Sequence, residues 1–148
     1  MDGWTDEQFF AYLAGILDGE GTVLISKKSG KNGKSRYQLV VTIYQKEMDW
    51  LELLARRFGD NGYMYKLDNP SRNGNYCCQW SLYSKRALCL LRSVQPWVTL
   101  KRNQVAGAIA FQEWMNIKGV KSKSDSDFAY GQWVKDNISK FNQRDYKW

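Results

Sequence analysis

Leu13-Ala14-Gly15-Ile16-Leu17-Asp18-Gly19-Glu20-Gly21 is the stretch on which the reading of this chain turns. Just upstream, Thr5 followed by Asp6, Glu7 and Gln8 has the arrangement of a capping box, so a helix is predicted from Asp6 to Gly19, ended by Gly-Glu-Gly. Ala11, Gly15 and Gly19 recur every four residues and put a stripe of small side chains on one helix face. Such a stripe lets another helix backbone approach closely, either from the protein's own core or from a second chain. Asp18 and Glu20 fall at the helix end, beside carbonyls of partial negative charge, where an acid costs from a few tenths to about 1 kcal/mol. A cation there would relieve the conflict, and carboxylates are good magnesium ligands. The alternative is a pair of solvated turn residues.

Downstream, Val23 to Lys28 reads as a strand, the run from Ser29 to Ser35 as a basic turn, and Arg36 to Tyr44 as a second strand. Tyr37, Leu39, Val41 and Ile43 alternate with Arg36, Gln38, Val40, Thr42 and Tyr44, which predicts one dry and one wet face. Lys46 to Phe58 has helical spacing and stops at Gly59. A second hairpin, Tyr63 to Asp68 and Tyr76 to Tyr83, surrounds a turn at Asn69-Pro70 and beyond. A third helix starts at Ser84 and stops near Gln95-Pro96, and a fourth runs from about Leu100 to Ile117. Gly119 to Asp127 reads as a polar loop, and Phe128 to Phe141 as a terminal helix. The fold class expected is α+β (mixed α/β). It is one domain over residues 1–148, an αββαββα core with a four-stranded antiparallel sheet plus C-terminal helices, the helical extension covering about 120–148.

Composition narrows the function. The chain of 148 residues carries 22 Lys+Arg against 15 Asp+Glu, a formal charge of +7, which suits a polyanionic partner. With 43% hydrophobic and 15% aromatic residues it is not a disordered basic tail. It contains no histidine, which removes Ser-His-Asp and Cys-His catalysis, His-ligated zinc and any histidine general base. Cys77, Cys78 and Cys89 offer neither a C-x-x-C pair nor a good disulfide geometry, so a reducing compartment is expected. No signal peptide or membrane span is legible, so the expectation is an intracellular protein, neither secreted nor membrane-bound.

The stretch from Leu13 to Gly21 resembles the signature of the LAGLIDADG homing endonucleases. The family pattern of a strand, a Gln and a helix ending in Phe-Gly is matched by Thr42-Ile43-Tyr44-Gln45 and Phe58-Gly59. Its later block is matched by the run from Gln95-Pro96-Trp97 to Lys101-Arg102-Asn103-Gln104, and Gln132-Trp133-Val134 resembles the tail of the compact algal-organelle branch. With a single signature, the chain is similar to the one-motif branch that acts as homodimers. The resemblance therefore assigns Ala11, Gly15, Asp18 and Gly19 to a helix–helix dimer interface.

The resemblance also implies the site. Glu20 would ligate an essential divalent metal, Mg2+ or another such as Mn2+, with the Gly19 carbonyl as a further ligand. Lys101 matches the family's basic residue near the attacking water, and Gln45 the polar residue that organises water there. Asp18 reads as a structural helix-end residue rather than a ligand. The sheet would lie in the DNA major groove, presenting Leu24, Ser26, Lys28, Arg36, Gln38, Val40, Thr42 and Tyr44 from the first hairpin. From the second hairpin come Lys66 and Asp68, with Gln79 on the last strand. Arg and Lys suit guanine and Gln suits adenine, while the basic turns from Lys27 to Lys34 and at Arg72 suit phosphates.

The function implied is a site-specific double-strand DNA endonuclease of intron homing, cutting a long pseudo-palindrome and leaving short 3′ overhangs. Its place of action would be the site of synthesis, an organelle or a prokaryotic cytoplasm. Two other roles fit the same fold: an intron maturase whose partner is intron RNA, and a disarmed DNA-binding regulator. Retention of Glu20 and Lys101 favours the nuclease.

Overall fold

The cap expected at Thr5 forms: its hydroxyl accepts the Gln8 N–H at 3.2 Å, and the Gln8 side-chain oxygen accepts the Thr5 N–H at 2.9 Å. The computed structural model describes residues 1–30, 33, 35–60, 62–67, 77–119 and 124–142. Helix α1 spans Asp6–Glu20 and buries Phe9, Leu13, Ala14 and Leu17. Strand β1 (Gly21–Ser29) follows with no loop between. Gly21 permits this, because a Cβ there would sit 2.5 Å from the Leu17 side chain and 2.7 Å from the Leu17 carbonyl oxygen.

Strand β2 is Ser35–Gln45, helix α2 Met48–Arg57, and strands β3 and β4 are Tyr63–Leu67 and Cys77–Tyr83. The four strands form one antiparallel sheet in the order β1-β2-β4-β3. Each strand matches its expected place to within a residue or two. Val23, Ile25, Tyr37, Leu39, Val41, Ile43, Trp80 and Leu82 are buried on one face, the dry side that alternation predicts. Helices α3 (Ser84–Val94) and α4 (Arg102–Lys118) follow β4. Among the described residues no helix is long and apolar enough to cross a membrane.

Helix α5 (Asp125–Asn142) begins three residues before the expected Phe128, inside what reads as a polar loop. The reason is a second capping box. Ser124 Oγ accepts the Asp127 N–H at 3.3 Å, and the Asp127 carboxylate accepts the Ser124 N–H at 2.9 Å. That backbone bond, helped by Lys118 at 3.4 Å, holds the Asp127 carboxyl below the usual carboxylate range. Val134 and Ile138 then join the core built by α1, the sheet, α3 and α4.

Gly131 sets how closely α5 approaches the sheet, since a Cβ at that position would lie 2.6 Å from Cδ2 of the buried Tyr37 ring. Gly131→Ala is therefore expected to destabilise the fold by about 1–3 kcal/mol through overpacking. Thermal unfolding measures this, and an unchanged midpoint would show that α5 does not dock on Tyr37.

Candidate active site and nucleic-acid interface

The end of α1 and the start of α4 are locked together by one side chain. Asp18 is buried, and its Oδ2 accepts the backbone N–H groups of Thr99 at 2.8 Å and Leu100 at 3.1 Å. Its Oδ1 accepts the N–H of Lys101 at 2.9 Å. An acid that is misplaced at the negative end of α1 is thus well placed at the positive end of α4. The electrostatic conflict seen in the sequence is relieved at Asp18 by three backbone amides. Lys101 is buried as well, and its Nζ donates back to the Asp18 carbonyl, putting an ammonium at the C-terminus of α1. It is therefore not an ordinary surface lysine.

Beside this lock lies an open cleft of about 600 Å3 lined by Gly19, Glu20, Lys101, Tyr44 and Thr22, among others. Glu20 ends α1 with an exposed carboxylate that makes no ion pair or hydrogen bond among the described residues. The structure brings together Glu20, Gly19 and Lys101 as the sequence suggests. Gln45 does not line this cleft. Alternation turns it away from Tyr44, and its side-chain oxygen accepts the Lys46 N–H at 3.2 Å. Gln104 lines it instead, buried one turn beyond Lys101, with its Nε2 donating to the Phe141 carbonyl at 3.1 Å. Phe141 and Asn142, the last described residues of α5, line it too.

The cleft opens at one end of the sheet face that carries no core. On that face the register pairs Lys28 with Arg36, Ser26 with Gln38, Leu24 with Val40, and Thr22 with Thr42, then Tyr44 with Gln79. Lys28, Arg36 and Tyr44 are exposed, and Leu24, Ser26, Gln38 and Gln79 are half-buried. Val40 and Thr42 share the face but keep only 9% and 5% of their surface, and the Thr42 hydroxyl lies 3.0 Å from that of Ser81. Lys66 pairs with Cys78, which places it on the opposite face, with Trp80 and Met64. The β3 side chains on the open face are Tyr63, Tyr65 and Leu67, all exposed, with the Tyr63 ring edge-to-face against Tyr83 at 5.7 Å. Asp68 and Arg72 lie outside the described residues.

Gly15 and Gly19 on α1 are exposed, and a Cβ on either would meet nothing within 4 Å. Ala11 beside them is half-buried. The small-residue stripe thus does not pack against the chain's own core at the two glycines. Asp18, grouped with that stripe in the sequence, is turned inward onto α4 of its own chain.

No protein-family model matches the sequence, and a search of curated proteins finds no match. Solved structures do share the fold. The homing endonuclease I-CvuI, in complex with its target in the presence of 2 mM Ca, aligns with a TM-score of 0.80 at 18% identity over 97% of this chain and 87% of that one. The group I intron-encoded homing endonuclease I-CeuI, complexed with DNA, aligns at 0.57 and 18% identity over 74% of this chain and 56% of that one. The LAGLIDADG homing endonuclease I-LtrWI, bound to target DNA, aligns at 0.65 and 15% identity over 93% of this chain but 45% of its own. The protein has the LAGLIDADG homing endonuclease fold.

Asp18→Ala would leave three amide donors without their acceptor and remove the anchor that orders residues 99–101. The expected cost is about 3 kcal/mol of stability, read by chemical denaturation. A loss under about 0.5 kcal/mol, the range of an ordinary surface substitution, would show that the lock is not structural.

Proposed function

We propose that the protein is a site-specific double-strand DNA endonuclease of the intron-homing kind, dependent on a divalent metal and active as a homodimer on a long pseudo-palindromic site. The observation that carries this reading is the meeting of Glu20 and Lys101 in one cleft, at the end of an open sheet face on a fold solved repeatedly as DNA complexes.

The donor set suits a hard divalent ion. Among the described residues no three His, Cys, Asp or Glu side chains cluster. One chain then offers the Glu20 carboxylate and backbone oxygen near Gly19, in keeping with an ion such as Mg2+ that retains several waters. When bound, Mg2+ or Mn2+ supplies Lewis acidity to the scissile phosphate and to a water. The chain's own residues do the rest. Lys101 keeps positive charge in the cleft wall, Glu20 supplies the balancing carboxylate, and the open face holds the duplex. Lys28 and Arg36 are the exposed cations of that face, suited to guanine edges or phosphates, and Gln38 and Gln79 supply amides.

The dimer is supported by the bare stripe at Gly15 and Gly19, and by the chain's matching under half of I-LtrWI. A two-fold axis through α1 would set two Glu20 residues on two antiparallel strands. A second reading, binding of intron RNA on the same face, is favoured by the exposed rings of Tyr63 and Tyr65, which are suited to stacking on unpaired bases.

Two outcomes test the proposal. A duplex selected from a randomised library in calcium should be cut on both strands when magnesium is added. With Glu20→Gln the cutting rate should fall about a hundredfold or more while binding in calcium holds; cleavage by Glu20→Gln at the wild-type rate would remove Glu20 from the chemistry. Gly15→Leu has room in the single chain and should fold normally. Light scattering should then show one chain instead of two, and a dimer in the variant would move the interface elsewhere.

A further inference from the structure

β1 is an edge strand, and α5 packs against it. At one end, Tyr37 Oη and Lys27 Nζ both donate to Gln132 Oε1, at 2.9 and 3.0 Å. At the other, Asn142 Nδ2 donates to the Val23 carbonyl at 2.9 Å. The helix from Gln132 to Asn142 spans about 15 Å, and the strand from Lys27 back to Val23 about 13 Å. α5 therefore runs antiparallel to β1 and delivers its last turn to the cleft that holds Glu20 and Lys101.

There α5 is gripped by Gln104, whose amide donates to the Phe141 carbonyl at 3.1 Å. Three residues earlier, at the N-cap of α4, Lys101 donates to the Asp18 carbonyl at the end of α1. The start of α4 thus holds one backbone carbonyl on each of the two helices that wall the cleft.

We propose that Gln104 is a positioning residue for the reaction: by fixing the Phe141 carbonyl it holds α5 at Phe141 and Asn142 as a rigid cleft wall, so that a phosphate enters beside Glu20 and Lys101 in one pose. This inference rests on the endonuclease reading. A neutral amide is the side chain the position calls for. A carboxylate would set two acceptors against each other, an ammonium would crowd Lys101, and an apolar residue would remove the bond.

The test variant is Gln104→Met, which keeps length and packing but removes the donor. Tyr37→Phe is its control, since it removes one bond from the far end of α5. Both are compared with the wild type on the selected duplex for binding in calcium, single-turnover cleavage in magnesium and thermal unfolding. Because a misplacement of about 1 Å can cost about a hundredfold, Gln104→Met should lower the cleavage rate about ten- to a hundredfold. Affinity should stay within about twofold, and unfolding should move no more than in Tyr37→Phe, which should cut like the wild type. Equal cleavage by Gln104→Met and wild type would overturn the inference alone. So would a fall in rate matched by equal losses of affinity and stability, which marks a merely structural residue. A wild type that binds the duplex without cutting it would sink the endonuclease reading, and this inference with it.

Discussion

The Asp18 carboxylate closes the structure at its functional end. It sits on the last turn of α1, yet its three hydrogen bonds go to residues 99–101, more than eighty positions along the chain. Isolated at the end of α1, that charge would oppose the helix dipole; set against the first turn of α4, it complements one. Lys101 answers in kind, carrying a cation to the carbonyl end of α1. Each helix end is therefore stabilised by a charge from the other. The exchange brings Glu20, the next acid on α1, and Lys101 into one cleft. The candidate site at this end of the molecule is inherited from a packing solution.

The sheet provides the second constraint, by keeping its two faces chemically distinct. The covered face is continuous, from Val23 and Ile25 through Leu39, Val41 and Ile43 to Trp80 and Leu82. The open face is not uniformly wet. β2 is a central strand, so Val40 and Thr42 are shielded by cross-strand neighbours, Leu24 and Tyr83 around the first and Thr22 and Ser81 around the second. Exposure is kept at the margins, at Lys28 and Arg36 near one hairpin end, at Tyr44 near the cleft, and at Tyr63, Tyr65 and Leu67 on the edge strand. A ligand lying on this face meets charge and aromatic rings around a shallow, largely satisfied centre.

Where the sequence was legible, the cause was local. The Thr5–Gln8 cap, the alternation of Tyr37, Leu39, Val41 and Ile43, and the stop at Gly59 depend on neighbours a few residues away. The box at Ser124 and Asp127 was equally local, but it was hidden in a stretch whose serines, lysines and acids read as a loop. The partner of Asp18 was not legible, because nothing at position 18 says which distant amides will arrive. Lys66 failed for another reason. Which face a β3 side chain takes depends on its register with β4, and a one-residue change exchanges the faces. Gln104 could have been suspected, as a polar residue on the same helix side as Lys101, but its role depends on where α5 ends.

The geometry also bears on the proposed dimer. A single cleft holds one Glu20 and one Lys101, and can address one phosphodiester at a time. The strands of a duplex run in opposite directions and are related by two-fold axes perpendicular to the helix. A second cleft facing the other strand must therefore be turned by the same rotation. The face of α1 bearing Gly15 and Gly19 lies bare beside the cleft, so a two-fold contact there would carry Glu20 of each copy close to the axis. Two like carboxylates brought near one another repel unless positive charge lies between or beside them. Lys101 in the wall and a divalent ion on the carboxylate would each meet that need, so the proposed dimer, its metal and the buried lysine would form one electrostatic arrangement. In the proposed complex the +7 charge of each chain would serve the duplex, whose phosphates would offset what the pairing of two cationic subunits costs.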